Sequence, residues 1–427
     1  MNTGLRITYD PRAWKKVFFP VWVGQAFSLL GSQVVQFALI WYLTQTTGSA
    51  TVLATAALVA VLPTVILGPI AGVLVDRWNR QVVMILADAT TAGSTVVLIA
   101  LFAAGAVQIW HIYAILCLRA IGQGLQNPAM LAATSLMVPE DDLTRVQGLN
   151  QAFQGVMAVL AAPLGAVLLD LLPMQGVLAV DIVTATLAIA PLCIVRIPAI
   201  SSPGASQGVG AVLRDLQAGF VYVFSWRGLA LLVGMATLIN MMVSPAFALL
   251  PLLVKNHLGG GVMELGLLNA LLGAGMLTGG ILLGIWGGFK RRMDTATMGL
   301  VGLSLGLVLM GLAPRTALPV AAVAMLLVGL ALPVITGPAM AAIEAIVDPG
   351  MQGRVTSLMI SLGAGAAPIA LAVAGPLADV LGPRAWFLAA GAMCACMTAG
   401  MRLVPAVLHI EDSREAHGRG TEGAAIA

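Results

Sequence analysis

Apolar residues run along this chain in blocks of about 20, broken by short polar stretches from one end to the other. A helix rises about 1.5 Å per residue, so each block is long enough to cross a hydrocarbon core of about 30 Å. The pattern predicts twelve membrane spans: 18–44, 51–74, 82–104, 109–136, 150–172, 176–195, 228–253, 265–288, 296–313, 318–343, 355–380 and 385–404. A polar linker rich in Gly, Ser and Pro covers 198–210, and an amphipathic stretch follows over 211–226. The tail after His409 is charged and rich in small residues, so disorder is expected there. The predicted domains are therefore an amino-terminal six-helix half (1–196), a linker (197–227), a carboxy-terminal six-helix half (228–408) and a tail (409–427).

Composition sharpens this picture. The chain is 59% hydrophobic and 9% charged, where a soluble domain carries about 25% charged residues. A net charge of +3 is too small to suggest a nucleic-acid partner. Cys117, Cys193, Cys394 and Cys396 all lie in apolar runs, where a thiol acts as a small hydrophobe, and no disulfide framework is implied. The four histidines form no cluster with metal-ligand spacing, so neither a metal nor another cofactor is expected. Residues 302–306 spell G-x-S-x-G, but inside an apolar span and without the strand-to-helix turn that a hydrolase nucleophile needs. No Walker-type phosphate loop is present, so ATP does not drive the chain directly and an enzyme is not expected.

The basic residues set an orientation. Of the 21 lysines and arginines, Lys255, Arg315 and Arg384 fall in one set of loops and Arg119 falls inside a span; the rest fall on the opposite side, with both termini. The positive-inside rule makes that side cytoplasmic and the chain a multi-pass protein of the cell membrane. The halves also match each other. At an offset of 210, Pro128 meets Pro338, Pro139 meets Pro349 and Pro173 meets Pro383, while Gly72 and Trp78 find Gly280 and Trp286 at an offset of 208. Duplicated six-helix halves fit a transporter whose site lies between them near mid-membrane.

Residues 72–81, GVLVDRWNRQ, put an acid, two arginines and a turn between spans two and three. With twelve spans and a central linker, the chain resembles the major facilitator superfamily, whose signature in this loop is matched by Gly72, Asp76, Arg77 and Arg80. Further features resemble its drug, macrolide and siderophore exporter branch: GQAFSLLGS in span one, TGSA at 47–50, DA at Asp88, RAIGQGLQNPA from Arg119, VD at Asp181 and MQGRV from Met351. The second-half counterpart of the loop, from Gly280, lacks the acid–arginine pair and offers Lys290, Arg291 and Arg292 slightly later. The resemblance implies an all-α, twelve-helix, two-half fold and proton-driven efflux of a bulky, largely apolar small molecule by alternating access. Gly72, Asp76, Arg77 and Arg80 would then be a conformational latch. A monomer is expected, with protons, the bilayer and the small-molecule substrate as its partners. An uptake symporter for a metabolite or lysolipid, and a membrane ligand sensor that does not transport, are the rival readings.

Three charged groups inside spans are candidates for proton coupling. Arg119 lies about ten residues into span four, where a lone guanidinium costs about 2.5–3.5 kcal/mol, so it needs a partner. Asp88 enters from the other side and is expected to meet it; Asp181, closer to the outer end of span six, is a second acid. Neutral polar groups recur at helical spacing: Gln25, Ser28, Ser32 and Gln36 in span one, then Gln123 and Asn127 beyond Arg119. With Asn240 and Asn269 from the second half, they are the expected substrate-binding surface.

Overall fold

The computed structural model describes residues 14–195, 209–315 and 317–403. Arg6, Arg12, the linker residues 198–208 and the tail after His409 lie outside the described residues. So do the surroundings of Gly72 and the side chains of Asp76 and Arg77.

The described residues form helices and no strands. In chain order these are α1 (Trp14–Thr47), α2 (Ala50–Arg77), α3 (Arg80–Ala103), α4 (Ile109–Met137), α5 (Glu140–Leu171), α6 (Met174–Ile194), α7 (Val209–Ser225), α8 (Arg227–Leu253), α9 (Val262–Trp286), α10 (Arg292–Leu312), α11 (Leu318–Ile346), α12 (Gln352–Leu381) and α13 (Pro383–Leu403). Ten of the helices are long and apolar enough to cross a membrane by themselves. α4 is long enough but carries Arg119, Gln123, Gln126 and Asn127, and these polar groups lower its hydropathy. Several helices outrun the predicted spans. α5 starts at Glu140 rather than near 150, because helical hydrogen bonding continues through a polar turn that hydropathy alone excludes.

The internal repeat is legible in the packing. α4 and α11 each have 29 residues and start 209 positions apart, at Ile109 and Leu318. Within the first half α1 packs on α5 and α6, and α4 packs on α2 and α3; within the second, α8 packs on α12 and α13, and α11 packs on α9 and α10. The halves meet mainly through two helix pairs that exchange roles, α5 with α9 and α2 with α12. Where lipid removes most of the hydrophobic drive between helices, small residues allow the necessary close approach. Gly266 of α9 lies against Ala162 and Ala166 of α5, and Gly375 of α12 against Thr51 and Ala54 of α2.

We call the end of the bundle where α1 starts the near end, and the other the far end. α2 and α3 are joined at the near end by a turn of two residues, Trp78 and Asn79. The Trp78 amide closes α2 on the Leu74 carbonyl, and the Asn79 side chain accepts the Gln81 amide at 3.0 Å to start α3. Asp76 and Arg77 are thus the last residues of a helix, not members of a free loop. The amphipathic stretch forms α7, held to α12 by the Arg354–Asp215 ion pair at 2.8 Å.

Candidate functional site

The charged residues inside the first half sort into two layers. In the layer nearer the far end, Arg119 grips Asp181 with both terminal nitrogens: Nη1 donates to Oδ2 at 2.6 Å and Nη2 to Oδ1 at 3.3 Å. Thr95 Oγ1 donates to the same Oδ2 at 2.7 Å and accepts from Nη1 at 3.0 Å, while Ser32 Oγ reaches Oδ1 at 3.3 Å. Four helices thereby meet on one buried pair, with Arg119 4% and Asp181 1% exposed. Burying two charges is tolerable here because a fork-shaped guanidinium satisfies both carboxylate oxygens.

The second layer holds Asp88, 2% exposed, which pairs with no cation among the described residues. Its Oδ2 accepts from Gln25 Nε2 at 2.8 Å; its Oδ1 accepts from Ser28 Oγ at 2.8 Å and Gln126 Nε2 at 2.9 Å. The expected meeting of Asp88 with Arg119 is therefore corrected: Arg119 takes Asp181, and Asp88 takes three neutral donors. The reason is register. α3 and α4 run antiparallel, Asp88 precedes Thr95 by seven residues, and Gln126 follows Arg119 by seven. Two turns, about 10 Å, therefore separate the layers, and the residue of α4 level with Asp88 is Gln126.

Three cavities of roughly 430–500 Å³ lie in a row, and the first of them borders these layers. One, in the first half, is lined by the amides of Gln25, Gln123, Gln126, Asn127, Gln147 and Gln151, with Ser28 and Ser32. Gln33 and Gln154 carry it into a second cavity between the halves, where Gln36 and Asn269 share the lining with Met157 and Met276. Phe247 joins that one to a third, in the second half, whose wall is apolar and rich in methionine (Met235, Met293, Met340, Met359, Met401) around Asn240 and Ser244. All eight residues expected to bind substrate line one of the three. Asn269 also donates to the Leu265 carbonyl of its own helix at 2.9 Å.

Sequence reading missed Gln126, Thr95 and the amides of α5. Gln147, Gln151 and Gln154 recur at helical spacing just after Arg145, but before or across the predicted start of span five. Thr95 could have been read from Asp88, Thr91 and Thr95, which share one face of α3.

At the far end, hydrogen bonds cross between the halves in two clusters. The Asp379 carboxylate of α12 accepts from the amides of Ala50 and Thr51, at 2.6 and 3.0 Å, and from Ser49 Oγ at 3.0 Å. Lys255, in a π-helical turn over Val254–Leu258, donates to the carbonyls of Thr44 and Gln45 at 2.9 and 3.0 Å. The acid thus caps the start of α2 and the base the end of α1, each matching the sign of the helix dipole there. Gly48, at φ +62°, makes the tight joint that brings these two helix ends together. Glu264, near the start of α9, accepts the Gly261 amide at 2.7 Å and so acts as a local cap.

Comparison with known proteins fits this architecture. The sequence family described as Major Facilitator Superfamily matches residues 21–286 and 229–425. Macrolide efflux protein A of Streptococcus pyogenes is 33% identical over 386 residues, which are 90% of this chain and 95% of that protein. Its namesake in Enterococcus faecalis is 31% identical over 326 residues, 76% of this chain and all of that protein. Multidrug efflux pump Tap of Mycobacterium bovis is 27% identical over 86% of this chain and 87% of its own length. Among solved structures, the nucleoside transporter NupG superposes with a TM-score of 0.67 at 10% identity, covering 89% of this chain and 98% of its own. A bacterial homologue of the human lysosomal transporter Spinster gives 0.67 at 15% identity over 94% and 99%. At such identities the structural likeness bears on the fold alone.

Proposed function

The chain belongs to the major facilitator superfamily, and on that premise we propose that it exports a bulky, largely apolar small molecule of the macrolide or multidrug kind in exchange for protons. The observation that carries this reading is the contrast between cavity walls. An amide-rich wall in the first half suits a ligand face dense in hydroxyls and carbonyls, and a methionine-rich wall in the second suits its hydrocarbon face. Relatives named for macrolide and multidrug efflux support the same ligand class.

In this reading the near end is cytoplasmic, the two six-helix halves rock against each other, and the far-end clusters at Asp379 and Lys255 hold the outer side shut while substrate enters from within. Asp88 carries the proton. It is a buried carboxylate whose donors are all neutral, whereas Asp181 is neutralised by Arg119 and serves as the structural pair. The signature residues Gly72, Asp76, Arg77 and Arg80 form the corresponding latch at the cytoplasmic end, engaged when the outer side opens. One proton moving down about 150 mV supplies roughly 3.5 kcal/mol, enough for a substrate gradient of roughly 300-fold.

The test is export of radiolabelled erythromycin and a panel of lipophilic drugs from cells expressing the chain, with and without an uncoupler, beside Asp88→Asn. Export that collapses with the uncoupler and is lost in the variant is the expected result. Faster accumulation in expressing cells would reverse the direction and make the chain an uptake symporter. No movement of any compound would favour a ligand sensor.

A further inference from the structure

Hydrogen-bond direction is fixed along one chain of side chains. Gln126 Nε2 donates to Gln25 Oε1 at 2.5 Å, and Gln25 Nε2 donates to Asp88 Oδ2 at 2.8 Å. An ionised carboxylate can only accept, so it forces each amide to turn its nitrogen toward the acid. Gln126 spends its second N–H on Asp88 Oδ1 at 2.9 Å. Both its hydrogens are then used, and the oxygen is the group it has left for the cavity that it lines.

We infer that Gln25 and Gln126 are positioning residues that convert the protonation of Asp88 into a change of the hydrogen-bonding face offered to the substrate. This rests on the reading of Asp88 as the proton site. One hydronium ion reaching the cavity gives up a proton: its O–H bond breaks, an O–H bond forms on Oδ2, and water is left behind. The new hydroxyl must donate, so the Gln25 amide rotates to accept it and offers its nitrogen to Gln126. Gln126 rotates in turn, accepts with its oxygen and swings its NH₂ into the cavity. Ser28 keeps donating to Oδ1 throughout. A wall that accepted a hydrogen bond now donates one.

The sign of the coupling follows. A ligand hydroxyl bound to the Gln126 oxygen is held while Asp88 is ionised and loses that bond when a proton arrives, which is the order that exchange requires. The buried charges nearest Asp88 form a pair of their own. Of the elements packed against α3, α4 contributes Arg119 and α6 contributes Asp181, and these two are bound to each other. The charged residues of α1, Lys15 and Lys16, are exposed at its start, some ten residues before Gln25. His111 of α4 sits at the far end, fifteen residues before Gln126, and the Asp76 and Arg77 pair of α2 at the near end.

The experiment is acid-minus-alkaline infrared difference spectroscopy of the purified full chain in lipid nanodiscs, without ligand. Expected in the wild type are a carboxylic-acid carbonyl band and an accompanying carboxamide side-chain band. Other carboxyl groups add to the acid band, so the Asp88 component is the part that Asp88→Asn removes. That variant should also lose the carboxamide band, while Gln126→Met and Gln25→Met should keep the Asp88 component and lose most of the carboxamide change. The surviving Asp88 component also reports that those variants remain folded. A carboxamide signal identical in wild type, Gln25→Met and Gln126→Met would overturn the inference alone. An acid band of undiminished size in Asp88→Asn would instead overturn the reading beneath it. In binding assays with radiolabelled erythromycin, affinity should fall about tenfold from alkaline to acid pH in the wild type, the worth of about one hydrogen bond, and stay flat in Gln126→Met.

Discussion

The Asp379 carboxylate sits on the amino-terminal end of α2, 2.6 Å from the Ala50 amide, although 329 residues separate the two in the chain. The bond joins the two halves at the far end, and its anion lies where a helix start leaves amides without intrahelical partners. Asp379 is exposed, so solvent screens it, and such a contact contributes about 0.3–1 kcal/mol. That is enough to bias a conformational equilibrium without locking it. Asp379→Ala is expected to raise the far-open population roughly two- to fivefold. Spin labels at Thr46→Cys and Leu381→Cys, in a background with the native cysteines replaced, would read this as growth of the longer distance. An unchanged distance distribution would mean that the capping bonds do not hold the gate.

The buried pair makes a different prediction. Removing one partner of Arg119–Asp181 leaves the other charge without its counter-ion among four helices, at a cost of about 3–5 kcal/mol. Asp181→Asn should therefore lower the melting temperature in detergent clearly. Arg119→Met with Asp181→Leu, which removes both charges, should recover much of the loss. If Asp181 were instead the proton carrier, the double variant would melt normally and yet lose its response to the uncoupler.

Phe247 lines both the methionine-rich cavity and the one between the halves, on the methionine side of the row of cavities. Its truncation removes an aromatic surface worth about 1.5–3 kcal/mol when buried. Phe247→Ala should thus weaken binding of apolar drugs by tenfold or more, whereas Gln151→Ala on the amide wall should weaken hydroxyl-rich ligands selectively. Equal losses across both ligand sets in both variants would argue against two chemically distinct walls.

What the sequence made legible follows from the physics of lipid. Backbone groups in hydrocarbon must bond internally, so apolar runs translate directly into helices, and the offset of 210 residues translates into paired helices such as α4 and α11. The polar stripe of α1 was legible too, because Gln25, Ser28, Ser32 and Gln36 repeat at helical spacing. Depth was not. Asp88 and Arg119 each lie eight to ten residues into a span, but their helices enter from opposite ends with different overhangs, and counting residues cannot align the registers. Asp379 was overlooked for a related reason: an acid in the last turn of a long helix reads as an interfacial charge until the start of α2 is seen beside it.

The role exchange between α5–α9 and α2–α12 supports one further prediction about the gate. A Cβ at Gly266 would lie 2.7 Å from the Ala166 methyl, and one at Gly375 would lie 2.9 Å from the Ala54 methyl and the Thr51 Cα. Both distances are shorter than carbon atoms accept, and both sites are within about two turns of the far end. Overpacking of this kind costs about 1–3 kcal/mol, and only while the far end is shut. Gly266→Val and Gly375→Val should each favour the far-open form, by roughly five- to a hundredfold in population. The readout is alkylation of Asn269→Cys by a membrane-impermeant maleimide added from outside to intact cells that lack the native cysteines. Both valine variants should speed labelling, and the pair together should speed it further, because their contacts share no residue. Folded variants that label no faster than the parent would place the moving contact elsewhere than between these helices.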